Sequence, residues 1–243
     1  MKLDSLQNLL SGNTYPGRGI VLGIAPDGKH AVIGYFIMGR SVNSRNRIFV
    51  SQPDGGIITK AFDESKMVDP SLIIYAPIRV PQKGVWVVTN GDQTDTICDF
   101  LAEGKSFEDA LRTRTFEPDP PNYTPRISGL LHTGDGRAAY RLSILKSDCG
   151  DENSVQRFFY EYAQPVSGVG HFIHTYRCNG NPIPSFEGEP ERVSIPDDFD
   201  SFTQMLWDNL NADNKVSLFT AQIDLATGEA VHTVLLNKNG GND

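Results

Sequence analysis

The chain of 243 residues has little cysteine, and no pattern in the little it has. Cys98, Cys149 and Cys178 are odd in number and far apart, which excludes both a disulfide framework and a Cys-x-x-Cys metal or redox pair. Reduced thiols in a cytoplasmic protein are the expectation. Long apolar runs are missing too. Nothing approaches the roughly 18 consecutive apolar residues of a membrane span. Residues 1–11 carry one lysine and a short Leu9-Leu10 pair, so no signal peptide or membrane partner is expected. There is no basic excess: 22 Lys and Arg stand against 30 Asp and Glu, a formal charge of -8. That balance argues against nucleic-acid binding through a basic surface, but not against a small anion held by a few local arginines. Flexible Gly/Ser linkers, composition breaks and repeats of fixed period are also absent. One domain over residues 1–243 is therefore expected.

What the chain does have is a concentrated cationic stretch, Gly39-Arg40-Ser41-Val42-Asn43-Ser44-Arg45-Asn46-Arg47. Apolar segments flank it at residues 31–38 and 48–50. A polar segment between two strand-like segments suits a loop at a sheet end, where binding residues gather. Arginine forks match phosphate or carboxylate oxygens, so a phosphate clamp and a solvated turn are the two readings.

Residues 1–13 read as a short helical or irregular lead-in. Residues 19–25 and 30–38 surround Pro26-Asp27-Gly28-Lys29, a hairpin signal. A short strand is expected at 47–51, a turn at Asp54-Gly55-Gly56, and further strands at 72–77 and 85–89. Ile97, Phe100 and Leu101 recur at helical spacing before Gly104, and Ser106 with Asp109 forms a capping box for a second helix. A proline-rich loop covers 116–126, and strands resume at 127–131, 138–145, 157–162 and 171–176. Beyond a second loop at 179–190, Phe199, Phe202, Met205, Leu206 and Leu210 mark one apolar helix face. Residues 216–225 and 230–236 close the chain as a hairpin. About ten strands in hairpin succession with two or three helices indicate an α+β fold of mainly antiparallel sheet.

Several residues could carry chemistry. Thr89-Asn90-Gly91-Asp92 is a strand-to-helix junction whose free N–H groups suit an anion, although Asp92 and Asp95 already complement the helix dipole. Tyr75 is either a core tyrosine with a bonded hydroxyl or a group that orients a substrate. Glu117 opens the proline loop as a candidate general base, against the default of an exposed glutamate. His171 and His174, three apart on a strand, point to opposite faces, so a zinc ion shared between them is not expected.

Taken together, Arg40-Ser41…Arg45, Tyr75, the run Asn90-Gly91-Asp92-Gln93-Thr94-Asp95-Thr96-Ile97, and Glu117…Thr124-Pro125-Arg126-Ile127 resemble the archaeal-type IMP cyclohydrolase family. Tyr15-Pro16-Gly17-Arg18-Gly19, Thr175-Tyr176 and Pro184-Ser185-Phe186 are similar as well. The resemblance runs from about residue 15 to the C-terminus and leaves residues 1–14 as an N-terminal extension. It implies a four-layer α-β-β-α sandwich like that of N-terminal-nucleophile hydrolases. It also implies dehydrating closure of 5-formamidoimidazole-4-carboxamide ribotide to IMP, a purine ribonucleotide substrate, no metal or organic cofactor, and a possible homo-oligomer. By motif, Arg45, Tyr75 and Glu117 correspond to the family's active-site arginine, tyrosine and glutamate. Arg40, Ser41, Arg47, Asn90, Gly91, Asp92 and Arg126 are then expected to bind substrate. Where the family reads Arg-Ser-Phe-Pro-Asn-Arg, this chain has Arg40-Ser41-Val42-Asn43-Ser44-Arg45, and Arg47 follows closely enough to compete for the catalytic place. The alternative function is a purine-nucleotide- or phosphate-binding protein on the same fold without turnover. A third, amide hydrolysis by an N-terminal nucleophile, needs Cys, Ser or Thr at the mature terminus, and Met1-Lys2 offers none.

Overall fold

The hairpin around Pro26-Asp27-Gly28 is the centre of one of two sheets. β1 (Arg18–Ile24) and β2 (His30–Met38) pair antiparallel, with Ile24 opposite Ala31. Asp27 closes the turn by accepting from the backbone N–H groups of Lys29 and His30, and Gly28 takes a positive φ of 67°. The computed structural model describes residues 3–67, 70 and 74–240.

The remaining elements follow in chain order. α1 (Leu6–Gly12) precedes β1, and the one-turn α2 (Val42–Arg45) leads into β3 (Arg47–Ser51), β4 (Ile57–Ala61), β5 (Ile78–Gln82) and β6 (Val85–Thr89). Helices α3 (Gln93–Ala102) and α4 (Phe107–Arg112) intervene before β7 (Arg126–Gly134), β8 (Arg137–Asp148), β9 (Asp151–Tyr162), β10 (Val169–His174) and β11 (Glu191–Ser194). α5 (Phe199–Asn209), β12 (Lys215–Asp224) and β13 (Ala230–Asn237) finish the chain. Six strands run in the order β11-β10-β1-β2-β12-β13, and seven in the order β3 to β9. Every named strand pair among the described residues is antiparallel. The fold is α+β, as expected.

Alternation along the strands decides which face each residue serves. Ile20, Leu22 and Ile33 join Ile78, Val88, Ile127 and Leu142 of the other sheet in one core cluster. The intervening Val21, Val32 and Phe36 pack instead with Leu6, Phe202 and Leu206 of α1 and α5. On the seven-stranded sheet, Val87 and Leu130 meet Ile97 of α3 and Phe107 of α4. Burial on both faces explains why β1 and β2 read as continuous apolar runs.

The expected strand at 72–77 is corrected. Residues 72 and 73 lie outside the described residues, and no strand forms at 74–77. The strand is β5, one step further on. Tyr75 takes a side-chain partner in place of a ladder: its N–H donates to Thr59 Oγ1 at 2.8 Å, and its carbonyl accepts from Thr59 N and Oγ1. Pro77 has no N–H to extend pairing backwards from β5. The short strands β4 and β11 and the one-turn α2 are additions to the sequence reading.

One polar side chain ties the sheets together. Asn237, at the end of β13, accepts from Phe49 N at 2.8 Å and donates to Phe49 O at 3.1 Å in β3, while Ser217 Oγ donates to its Oδ1. Asn237→Ala should therefore strand two buried backbone groups and cost about 2–4 kcal/mol in urea unfolding.

Candidate active site

Arginines stand at the N-terminal ends of three strands. Arg18 opens β1, Arg47 opens β3 and Arg126 opens β7; all three are buried. Glu117 enters from the proline-rich loop before β7 and is 2% exposed. That loop is closed by its own polar groups: Glu117 N donates to Thr124 O, and Asp119 accepts from both Thr124 N and Thr124 Oγ1. Tyr176, past the end of β10, hydrogen-bonds Thr124 Oγ1 and stacks on Tyr15 at 5.7 Å. Arg40 lies over the Tyr15 ring at 5.0 Å and donates to Asn179 Oδ1 and Gly180 O.

The electrostatics centre on Glu117. Arg18 Nη2 is 3.7 Å from Glu117 Oε2, an ion pair without a direct hydrogen bond. Burial raises the Glu117 carboxyl from the ordinary 4.5 to about 7, although Arg18, Arg126 and Arg47 all pull it down. Burial alone would lower Arg18, but the Glu117 carboxylate and nearby phenols outweigh it and hold the guanidinium well above its usual value. Burial also lowers Arg47, which stays protonated because guanidinium starts so high. Glu117 is the group of this cluster that titrates near neutrality. Among the described residues Arg18 Nε, Arg47 Nη1 and Glu117 Oε1 are buried without a hydrogen-bond partner. Unpaired buried polar atoms are costly, so their grouping on three charged side chains makes this cluster the candidate site.

The residues singled out from the sequence separate into three groups. Arg47, Tyr75, Glu117 and Arg126 belong to the buried cluster; Tyr75 is 8% exposed, and its hydroxyl lies 2.9 Å from that of Tyr35. Arg47 is fixed by Nε to Ser44 O and Nη2 to Met38 O. Asn90, Gly91 and Asp92 frame it. Asn90 accepts from Ile127 N and donates to Pro125 O, while Gln93 Oε1 and Asp92 Oδ1 both take Arg126 Nη1 at 2.7 Å. A Cβ on Gly91 would sit 2.3 Å from Arg126 Nη1 and 2.6 Å from Gln93 Oε1, so a side chain there would displace the Arg126–Gln93 pair. Arg40, Ser41 and Arg45 lie on the exposed side of the loop. Ser41 caps α2 through a capping box with Ser44, and the Arg45 guanidinium is engaged with Gly39 O and Asn214 Oδ1. Burial thus divides the arginines of one stretch: Arg47 is buried, while Arg40 and Arg45 are exposed.

Arg18, Tyr35 and Tyr176 are additions. Arg18 has a visible signal: it is one charge at the mouth of an apolar strand. His171 and His174 do face apart, towards Tyr140 and Tyr162 in one case and Phe172 and Phe186 in the other. Among the described residues no three His, Cys, Asp or Glu side chains are grouped to hold a metal ion. A cavity of about 480 Å³ is lined by Ile24, Gly136, Ala163, Ser167 and Leu225. It lies at the other end of β1, about 20 Å from Arg18 at 3.4 Å per residue. It holds none of the buried charges, so we place the chemistry at the arginine end.

Glu117 also makes stability depend on pH in a defined direction. Below about pH 4.5 the carboxyl is protonated folded and unfolded; between 4.5 and about 7 only the unfolded chain ionises, so folding weakens as pH rises. Glu117→Gln should be more stable than the parent at pH 8, on the order of 3 kcal/mol, with the gap closing by pH 4. Urea unfolding at the two pH values measures it, and a less stable variant at pH 8 would contradict the assignment.

A family model described as IMP cyclohydrolase-like protein matches residues 15–228. A protein named IMP cyclohydrolase from Methanosphaera stadtmanae is 35% identical over 127 residues, covering 50% of this chain and 60% of that protein. Another of the same name, from Methanopyrus kandleri, is 30% identical over 187 residues, covering 71% of this chain and 89% of that protein. The match thus spans less than two thirds of the first relative and most of the second.

Proposed function

Because the chain belongs to the IMP cyclohydrolase-like protein family, we propose that it is an IMP cyclohydrolase. On this reading it closes 5-formamidoimidazole-4-carboxamide ribotide to IMP. The observation that carries the reading is the set of unpaired buried atoms on Arg18, Arg47 and Glu117 beside the Tyr75 hydroxyl. Two relatives that bear the enzyme's name support it.

The carboxamide nitrogen attacks the formyl carbon of the same molecule, and the new C–N bond closes the ring. The formyl oxygen leaves as water, taking up one proton from the carboxamide nitrogen and one from the formamido nitrogen. Both reacting groups are tethered, so positioning supplies much of the rate. Glu117, poised near neutrality, takes the carboxamide proton. Arg47 and Tyr75 stabilise the negative charge that develops on the formyl oxygen. Arg47 is assigned here in preference to Arg45, since it has a free buried N–H and Arg45 is already bonded on the exposed side. Arg126 faces the base or phosphate from its Gln93–Asp92 mount, with Asn90 and Gly91 as its frame. Arg40 and Ser41 meet the phosphate at the mouth.

The same reading extends to architecture and setting. The three core clusters, one drawn from both sheets and two beneath helices, support a four-layer α-β-β-α sandwich like that of N-terminal-nucleophile hydrolases, in one domain over 1–243 with 1–14 as an extension. A purine ribonucleotide is the partner, with neither nucleic acid nor membrane. The acidic charge supports the first exclusion, and no helix among the described residues is long and apolar enough to cross a bilayer. A cytoplasmic homo-oligomer that works without a cofactor completes the proposal.

Incubating the purified protein with the formylated ribotide and following IMP by absorbance tests it. Turnover well above the spontaneous rate is expected; binding without turnover would make the chain a nucleotide-binding relative. Glu117→Gln should lower kcat by about 100- to 10,000-fold and remove the limb of kcat/KM that rises through pH 7. Arg47→Lys keeps the charge and loses the fork, and should cost about 100-fold in kcat. Arg45→Ala should change kcat less than about threefold. An Arg45 effect as large as that of Arg47 would reverse the assignment.

A further inference from the structure

Tyr35 stands in the middle of β2 with no exposed surface, and its ring stacks on Phe49 at 5.6 Å. Among the described residues its hydroxyl has one hydrogen-bond partner, the Tyr75 hydroxyl at 2.9 Å. Two hydroxyls that share one bond leave a choice of direction. If Tyr75 donated, the Tyr35 proton would be left in the core without an acceptor, in the field of the Arg18 and Arg47 cations. If Tyr35 donates, its proton is satisfied. The leftover proton then sits on Tyr75, which is 8% exposed, and not on Tyr35, which has no exposed surface. Burial thus settles the direction, because an unmade donor is the more costly defect.

We propose that Tyr35 is a positioning residue for the reaction: by donating to Tyr75 it turns the Tyr75 O–H outward as a donor to the formyl oxygen of the substrate. The inference rests on the ring-closure reading above. The Tyr35→Tyr75→substrate chain runs in one direction, so each hydrogen bond polarises the next as charge develops on the oxygen. IMP has lost that oxygen as water, so the chain acts on substrate and transition state and not on product.

A double-mutant cycle tests it, with Tyr35→Phe, Tyr75→Phe and the pair. Tyr35→Phe should lower kcat about tenfold, the worth of one hydrogen bond to a developing charge. IMP affinity should stay within about twofold of the parent, and KM should rise by less than kcat falls. In the Tyr75→Phe background the second substitution should have no further effect. An unchanged kcat in Tyr35→Phe, or two losses that multiply, would overturn the proposal. A merely structural Tyr35 would weaken IMP binding and kcat together in both backgrounds, and that also overturns it. If the parent binds the ribotide without closing it, the functional reading fails by itself. The same cycle is then read on ribotide affinity relative to IMP, where Tyr35→Phe should weaken only the ribotide. Neither binding nor closure by the parent overturns both.

Discussion

A buried loop carboxylate with cations from both sheets near it and no hydrogen bond on one oxygen is the constraint from which the rest of this site follows. Desolvation disfavours the charge of Glu117, and three guanidinium groups favour it; burial prevails and leaves the carboxyl about evenly balanced near neutral pH. A close bidentate pair with Arg18 would have settled the contest for the ionised form. At 3.7 Å the arginine attracts without capturing. Such a balance is hard to maintain in a mobile loop, which explains the polar closure of the 117–124 segment by Asp119, Thr124 and Tyr176.

The arginines are not all held alike. Arg47 and Arg126 each have part of the fork tied down by a rigid neighbour, whereas Arg18 has only its ion pair with Glu117. Backbone carbonyls of Ser44 and Met38 hold Arg47, and Gln93 with Asp92 holds Arg126. Asp92 also binds Arg114, so its carboxylate is shared and neutralises neither arginine fully. The result is a cationic end on a protein with an acidic total charge. A local field of this kind favours a small anion.

How much of this was legible depended on whether the signal was local. The β1–β2 hairpin followed from Pro-Asp-Gly between two apolar runs, and the start of α4 from a Ser-x-x-Asp box, which the structure contains. The Ser41–Ser44 box escaped notice because serine at its third position is not the usual Glu or Gln. The arginine stretch was visible as a whole, but its division was not. That division had a readable cause: Arg47 and Phe49 are two apart on β3, so the arginine shares the inward face of a buried aromatic, while Arg45 ends a helical turn. Glu117 gave no local sign of burial, since Arg18 and Tyr176, which meet its loop, come from elsewhere in the chain. The resemblance in the motifs pointed to Glu117 and Tyr75. Arg18 stood in one of those motifs without a role, and Tyr35 came only with tertiary structure.

The most direct test is to follow the Glu117 side-chain carboxyl by ¹³C NMR in the ligand-free protein, with Glu117→Gln to assign its resonance. A titration midpoint near pH 7 is the result that burial against three guanidinium groups requires. A midpoint in the ordinary carboxylate range, near 4.5, would mean that the site is open to water or that Arg18 pairs tightly with the carboxylate. In either case Glu117 could not be the poised base on which the rest depends.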